Sequence, residues 1–240
     1  MPYYYYGGGV DITYLLFLLP ALLLSLWAEA RVSGSYRKYG AVRNVRGMTG
    51  AEAAMAVLRY HGVTGVGVAP TRGTLTDHYD PRSNTIYLSE GVYASPSIAA
   101  VGIAAHEAGH AVQYAEGYGP IRLRSAILPV CSFGSRFSFV ALMLGLVLYS
   151  QSLLLLGIVL FSLAALFQLI TLPVEFNASR RAVETIEGGG FLTEEESRGA
   201  KRVLSSAALT YVAALLTSIA QLLRYLLIFF ARGGGRRDRR

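Results

Sequence analysis

Two histidines four positions apart, with a glutamate beside the first, form the chemically most specific stretch of this chain. The stretch is His106-Glu107-Ala108-Gly109-His110, and the surrounding run SPSIAAVGIAAHEAGHAVQYAEG has the pattern of a single helix. Ser95 is the predicted N-cap, Pro96 fits the first helical position, and Gly117 fits just beyond the end. Because residues i and i+4 share one helix face, both imidazoles can bind the same ion.

An HExxH pattern on a helix is typical of zinc-dependent hydrolysis. His106 and His110 are the predicted ligands of Zn²⁺, which keeps an open position for water, and Glu107 is the predicted general base. Ala108 and Gly109 leave room beside such an ion. The alternative is a pair of ordinary histidines one turn apart with an incidental glutamate. The position of the motif in the middle of a capped helix favours the metal.

The composition indicates a membrane protein. Of 240 residues, 53% are hydrophobic and only 15% are charged, and the apolar residues cluster in long runs. Basic residues, which give a net charge of +7, crowd beside those runs and in the tail. This distribution suits anionic lipid head groups, and no aromatic–basic module for nucleic acid is present. The single cysteine, Cys131, excludes an internal disulfide.

The apolar runs define the predicted membrane segments. Residues 12–28 form an anchor, and the basic residues that follow place its C-terminal end in the cytosol. Residues 130–172 form a transmembrane hairpin of two runs. Residues 207–231 form a further apolar helix, before a basic tail at 232–240. A fourth span would place that tail outside, against the positive-inside rule, so this helix is either transmembrane or membrane-associated.

The region 31–129 holds the HEAGH helix and a small β-unit. A TGAE capping box begins a packing helix at Thr49, and strands are predicted at Val63–Ala69, Leu75–Tyr79 and Thr85–Ser89. The last strand is expected to offer an edge to a substrate backbone. His78, in the hairpin, is a candidate third metal ligand, a transition-state hydrogen-bond donor, or a residue that only stabilises the hairpin.

The metal needs a third protein ligand, and no histidine follows the motif. Gln113 and Glu116 stand where the extended metzincin pattern has glycine and histidine, which excludes that class. A glutamate from a second helix is the common solution, and the candidates are Glu116, Glu175, Glu184 and Glu187. Glu175 is favoured because the hairpin returns the chain to the face it left, within the helical region 173–206. The small residues Ala178 and Ser179 let that helix approach closely. The alternative for Glu175 is a helix-start carboxylate.

The chain resembles a mainly bacterial family of membrane-embedded neutral zinc metallopeptidases. The resemblance covers nearly the whole chain, and the matching stretches are MTGAEAA (48–54), LTDHYDPR (75–82), AAHEAGHA (104–111), EGY (116–118), LPVEFNASRRA (172–182) and AALTYVAA (207–214). It implies that His106 and His110 are zinc ligands and that Glu107 is the catalytic acid/base. The wider group of membrane proteases has aspartate four residues after the ligand glutamate, where this chain has Ser179. Asn177 and Asp77 are the alternatives for holding a histidine ligand.

The sequence thus predicts a mainly α membrane protein with transmembrane helices and a small α+β, zincin-like catalytic region. The predicted function is a membrane-bound, Zn²⁺-dependent endopeptidase that uses a metal-activated water and Glu107, close to the membrane surface. Its partners would be a peptide or membrane-protein substrate and the lipid bilayer. It would be a multi-pass protein of the cell membrane with its catalytic region in the cytosol. The alternative function is a membrane scaffold with a structural zinc site, which would normally need a fourth protein ligand.

Overall fold

A computed structural model describes residues 14–234, in which seven α-helices and three strands follow a short π-helical turn. The predicted lead-in before residue 12 and the end of the basic tail lie outside this range. In chain order the elements are the π-helical turn Tyr14–Leu18, α1 Leu19–Gly40, α2 Gly50–Tyr60, β1 Gly67–Thr71, β2 His78–Asp80, β3 Thr85–Ser89, α3 Glu90–Tyr93, α4 Ile98–Ala115, α5 Gly119–Val147, α6 Gln151–Gly188 and α7 Glu194–Gly234.

The predicted fold class is confirmed: the protein is a mainly α membrane protein with a small sheet. Four helical segments of the described range are long and apolar enough to cross a membrane, namely Leu15–Gly40, Gly119–Val147, Gln151–Gly188 and Glu194–Arg232. The last of these contains the apolar run 207–231, whose length and composition therefore suit a span.

The helices are longer than the apolar runs predicted. α5 begins at Gly119, eleven residues before the predicted hairpin starts at 130, and includes Pro129. α6 continues without a break from the second arm of the hairpin into the helix of Glu175, with Pro173 inside it, so the predicted helix start at Pro173 is wrong. Hydrophobicity decides where a helix can meet lipid, but backbone hydrogen bonds decide where it ends. A change from apolar to polar sequence therefore does not stop a helix.

The described residues divide into two compact units. One, the metal-site unit, contains residues 28–126 and 169–211; the other, the apolar unit, contains residues 14–27, 127–168 and 212–234. Within the apolar unit, Leu142, Leu154 and Ile158 form a buried cluster. A Cβ on Gly145 would lie 2.5 Å from the backbone nitrogen of Leu154, so α5 and α6 are in backbone contact there.

The sheet of the metal-site unit has the order β1-β3-β2. β3 is parallel to β1 and antiparallel to β2, with His78 opposite Tyr87. The expectation that β3 offers a free edge is therefore wrong, because a strand with neighbours on both sides has no unpaired backbone row. β2 is the edge strand on the α4 side.

The core of the metal-site unit packs α2, β3 and α4 against parts of α6 and α7. The predicted capping box of α2 is present: Thr49 accepts from the backbone of Glu52, and the Glu52 carboxylate accepts from the backbone of Thr49. Small residues dominate the core, and Ala104, Ala105 and Ala108 of α4 are fully buried. Helices lined with alanine and glycine approach closely, which brings polar side chains on different helices within reach of each other.

Candidate metal centre

The helix α4 carries the HEAGH motif. It begins two residues later than predicted, because Ser97 rather than Ser95 is the N-cap: its hydroxyl accepts from the backbone N–H of Ala100, at 3.1 Å. Gly109 lies against the backbone of α6, and a Cβ at that position would be 2.9 Å from the carbonyl oxygen of Ala178. Gly109 and Ala178 thus permit the close approach of α4 and α6 on which the site depends.

Three side chains converge between these helices. The Nε2 atoms of His106 and His110 lie 3.3 Å and 3.5 Å from Oε2 of Glu175, and the three ligand atoms are all within 4.8 Å of one another. The Glu175 side chain is 2% exposed, and the histidines 14% and 10%. Ligand atoms about 2.0–2.1 Å from a tetrahedral Zn²⁺ are about 3.3 Å apart, so the observed spacing fits such an ion.

Gln113 fixes the orientation of His110. The amide of Gln113 is fully buried and its Nε2 donates to the carbonyl of Val174 at 2.8 Å and to Oδ1 of Asn177 at 2.9 Å. Since a carbonyl can only accept, the amide nitrogen must face Val174, which leaves Oε1 facing Nδ1 of His110, 3.0 Å away. An acceptor at Nδ1 requires a proton there. Neutral His110 therefore presents the lone pair of Nε2 to the cluster.

Ser179 occupies the corresponding position beside His106. Its hydroxyl lies 3.1 Å from Nδ1 of His106. A hydroxyl can either donate or accept, so this contact positions the ring without dictating which nitrogen carries the proton. The partner of His110 thus specifies its tautomer, whereas the partner of His106 does not.

The two oxygens of Glu175 have different surroundings. Oε1 lies 3.5 Å from the guanidinium of Arg124, while Oε2 is buried without a hydrogen-bond partner. A buried acceptor that faces the lone pair of His110 Nε2 is costly unless a cation lies between them. The donor set of two histidines and one glutamate is the set found in catalytic zinc sites with an open position. The residues present therefore fit a zinc ion.

Protons compete with a metal for this cluster. Burial alone would lower the pKa of His110, but attraction by Glu175 and Glu107 outweighs burial and places the pKa above its usual value. Metal binding at Nε2 displaces a proton, so the negative charge that favours the imidazolium also favours a divalent cation.

Glu107 lies at the entrance to the cluster. Its Oε2 accepts from the backbone N–H of Tyr79 on β2, at 3.1 Å. Glu107, His106 and Glu175 all line a cavity of about 150 Å³, and most of its other lining residues are apolar. Its remaining lining residues are Val32, Tyr36, Leu75, Asp77, Ile103, Ser179, Val203, Leu204, Ala207, Ala208 and Tyr211. We call this cavity the cleft.

The structure does not bring every predicted residue to the metal cluster. His78 is exposed; its Nδ1 hydrogen-bonds to the carbonyl of Thr76 and its ring stacks on Tyr87, with centroids 5.1 Å apart. Asp77 lines the cleft, but its carboxylate accepts from the backbone and hydroxyl of Ser89. Asn177 contacts His110 only through Gln113.

The alternative glutamates lie elsewhere in the metal-site unit. Glu116 pairs with Arg181, at 2.6 Å, and lies 3.8 Å from His61. Glu184 forms a surface pair with Arg180, and Glu187 is exposed. Among the described residues, only Glu175 joins the two histidines in a three-ligand group.

Three neighbours of the site were not predicted from the sequence. Gln113 had a signal, because it lies three residues after His110 and hence on the same helix face. Arg124 and Tyr211 had no such signal. Arg124 lies near the end of the region 31–129, and Tyr211, whose hydroxyl interacts with Glu175, lies in the predicted apolar helix 207–231. Contacts between elements distant in sequence are visible only in the folded chain.

Comparison with known proteins assigns the chain to a family. Residues 14–230 match the family model described as "Putative neutral zinc metallopeptidase". The chain belongs to this family. It is also 49% identical over 211 residues to a Bacillus subtilis (strain 168) protein named "Putative membrane protease YugP", with 88% of this chain and 94% of the relative covered. No solved structure matches. The family resemblance inferred from the motifs is therefore confirmed.

Proposed function

We propose that this protein is a multi-pass membrane endopeptidase in which His106, His110 and Glu175 hold Zn²⁺ and Glu107 is the general base. The observation that carries the proposal is a buried three-ligand group that borders a cleft shared with Glu107. A structural zinc site is normally closed by four protein ligands. Three ligands beside a cleft, in a family described as zinc metallopeptidases, favour catalysis.

The residues of the site have separate tasks in peptide hydrolysis. Zinc supplies Lewis acidity, which polarises a carbonyl and makes water a nucleophile at neutral pH. Glu107 accepts a proton from the attacking water and passes it to the leaving amine. The backbone N–H of Tyr79 holds one oxygen of Glu107, which leaves the other oxygen for the proton. Arg124 holds Oε1 of Glu175 and so directs Oε2 towards the histidines.

The cleft indicates the class of substrate. Its walls include Leu75, Ile103 and Leu204, and its volume of about 150 Å³ suits one apolar side chain of moderate size. A peptide or membrane-protein segment with such a side chain at the cleavage site would bury it there. β2, the edge strand whose backbone contacts Glu107, takes the place predicted for β3 as the strand beside an extended substrate.

The site would lie near the cytosolic surface of the membrane. Glu175 follows the apolar run of α6, which ends at 172, by only three residues of the same continuous helix. Basic residues after the first apolar run favour the cytosolic side. Labelling of Ser83→Cys and Arg240→Cys proteins in intact cells with an impermeant maleimide tests this arrangement, because native Cys131 is buried. A Ser83→Cys protein that reacts without permeabilisation would place the site outside.

Replacement of the proposed general base, Glu107, by glutamine tests the peptidase activity. The full-length Glu107→Gln protein, purified in detergent, should keep its zinc and its melting temperature but lose at least about 100-fold in cleavage rate of unfolded membrane-protein substrates. Glu187→Gln makes the same change of charge at an exposed glutamate and should cleave normally. Undiminished cleavage by the Glu107→Gln protein would refute the assigned role.

A chelator separates the peptidase from a scaffold with a structural zinc site. For the enzyme, removal of zinc should abolish cleavage, and added Zn²⁺ should restore it. For a scaffold, removal should lower the melting temperature while the zinc-loaded protein cleaves no peptide. Zinc-loaded protein that is inert towards peptides but hydrolyses another bond would instead indicate a different zinc hydrolase.

A further inference from the structure

A second cavity of the metal-site unit lies between α1 and α7 and shares no lining residue with the cleft. Its volume is about 590 Å³. We call it the basic groove, and its lining residues are Ala30, Arg31, Gly34, Ser35, Lys38, Tyr39, Arg202, Ser205, Ser206 and Leu209. Three of these are basic and none is acidic. Nothing in the proposed peptidase reaction uses them.

The cations of the basic groove are arranged around one aromatic ring. The ammonium of Lys38 lies 5.4 Å from the centre of the Tyr39 ring, and Nη1 of Arg202 donates to the Tyr39 hydroxyl at 3.3 Å. Neither Lys38 nor Arg202 forms an ion pair with a carboxylate of the described residues 14–234. Two cations that contact the same tyrosine and form no ion pair with a carboxylate create a local positive potential that an anion would relieve.

Small residues keep the basic groove open. Ala30 and Gly34 are four positions apart on the same face of α1, and a Cβ on Gly34 would meet no atom within 4 Å. The hydroxyls of Ser35 and Ser206 are 2.8 Å apart, and Ser206 donates to the carbonyl of Arg202. The two serine hydroxyls therefore find their hydrogen-bond partners within the protein, and the volume of the basic groove is available to a ligand.

The position of these cations in the chain indicates the source of the anion. On α1, Arg31 and Lys38 follow the apolar run that ends at 28; on α7, Arg202 precedes the apolar run that begins at 207. In a helix that crosses a membrane, the first turns beyond the apolar run lie in the head-group region, where Arg31 is three residues beyond 28 and Arg202 five residues before 207. Lys38 is ten residues beyond 28, and its long side chain, inclined towards the N-terminus of α1, extends back towards that level. Leu209, also in the lining, offers an apolar surface to the glycerol and upper acyl chain.

We propose that the basic groove binds the phosphate of an anionic phospholipid, with Lys38 and Arg202 as its main contacts and Arg31 at its rim. A lipid in this groove would contact both α1 and α7, which also carry residues of the cleft wall. The proposal depends on these helices lying in a membrane and not on the peptidase reaction.

Native mass spectrometry of the full-length protein, titrated with phosphatidylglycerol and with phosphatidylcholine, tests the site. Lys38→Gln/Arg202→Gln should weaken phosphatidylglycerol binding about tenfold or more. The matched control is Arg37→Gln/Lys201→Gln, which removes the same charge from exposed positions one residue away on the same helices. It should change binding less than about threefold. Equal losses in the two proteins would reduce the effect to general surface charge and overturn the site.

A second variant blocks the space and keeps every charge. Gly34→Leu places a side chain in the open groove and should weaken phosphatidylglycerol binding as strongly as removal of the two cations, whereas Lys38→Arg/Arg202→Lys should retain it. Zinc content, measured in each protein, reports that the fold is intact. Unchanged lipid binding by Gly34→Leu would overturn the proposal. Displacement of the lipid by excess inorganic phosphate would assign the groove to a soluble phosphate and overturn its assignment to lipid.

Discussion

The two sides of the metal cluster differ in how completely their hydrogen bonds are determined. On the His110 side, Gln113 is fully buried and uses its carbonyl and both amide hydrogens on fixed partners, so one tautomer of His110 is specified. On the His106 side, Ser179 borders the cleft and its hydroxyl accepts or donates equally well. We call these the closed side and the open side. Under the proposed function, the closed side would orient its zinc ligand strictly, whereas the open side would leave freedom where substrate and water would enter.

Loss of Glu175 should have the largest effect, because it belongs to both sides. Glu175→Ala removes an oxygen ligand and leaves two histidines, and zinc affinity should fall more than about 100-fold. Zinc stoichiometry of the purified protein measures this. Glu187→Ala, at an exposed position of the same helix, is the control. Full zinc retention with unchanged affinity in the Glu175→Ala protein would exclude Glu175 as a ligand.

Disruption of the closed side should come next. Gln113→Ala removes the acceptor of Nδ1 of His110 and the side-chain contact to the Val174 carbonyl, and zinc affinity should fall about 10- to 100-fold. Gln113→Glu keeps an acceptor for His110 but cannot donate to Val174, so it should lose affinity as well. Competition with a fluorescent chelator gives the affinities. Wild-type affinity in both proteins would show that the tautomer is not controlled through this amide.

A change in the packing of α4 on α6 tests the site without replacing a polar side chain. Gly109→Ala would place a Cβ 2.9 Å from the carbonyl oxygen of Ala178, and we expect overpacking to cost about 1–3 kcal/mol of stability. The melting temperature and zinc affinity should both fall. Gly34→Ala adds a methyl group to a helical glycine with no atom within 4 Å and serves as the control. If both proteins melt alike, the close approach does not constrain the site.

Changes on the open side should have the smallest effect. Ser179→Ala removes a hydroxyl that leaves the tautomer of His106 undetermined, so zinc affinity should fall only about threefold to tenfold, at or below the lower end of what a ligand's hydrogen-bond partner contributes. Ser179→Asp should raise the affinity, because a carboxylate only accepts and would require a proton on Nδ1 of His106. A loss for Ser179→Ala as large as that for Gln113→Ala would remove the distinction between the two sides.

Local patterns were the most predictable part of the fold. The capping box at Thr49 and Glu52 and the helical spacing of His106 and His110 depend on neighbours within four residues, and both were predicted correctly. Boundaries were less predictable. Pro173 was expected to begin a helix, yet α6 passes through it, since the other hydrogen bonds of a long helix tolerate one missing donor.

The site was predictable to the extent that topology constrained it. A hairpin must return to the face it left, which singled out Glu175 among the glutamates, and the folded chain brings it to the two histidines. His78 could not be placed in the same way, because a lone histidine in a hairpin fits several roles. The central position of β3 in the sheet could not be predicted either, since the alternation of apolar and polar residues along a strand does not reveal the order of the strands.

The sequence by itself determined which chemistry is available: two histidines and a glutamate on one helix turn, a limited set of acidic partners, and apolar runs long enough for a membrane. Those properties follow from residue type and short-range geometry. Only the tertiary structure decided that Oε2 of Glu175 meets both Nε2 atoms, that Gln113 specifies the tautomer of His110, and that Lys38 and Arg202 line one groove. Each of these depends on close packing between helices far apart in sequence, where a shift of 1 Å makes or breaks a contact.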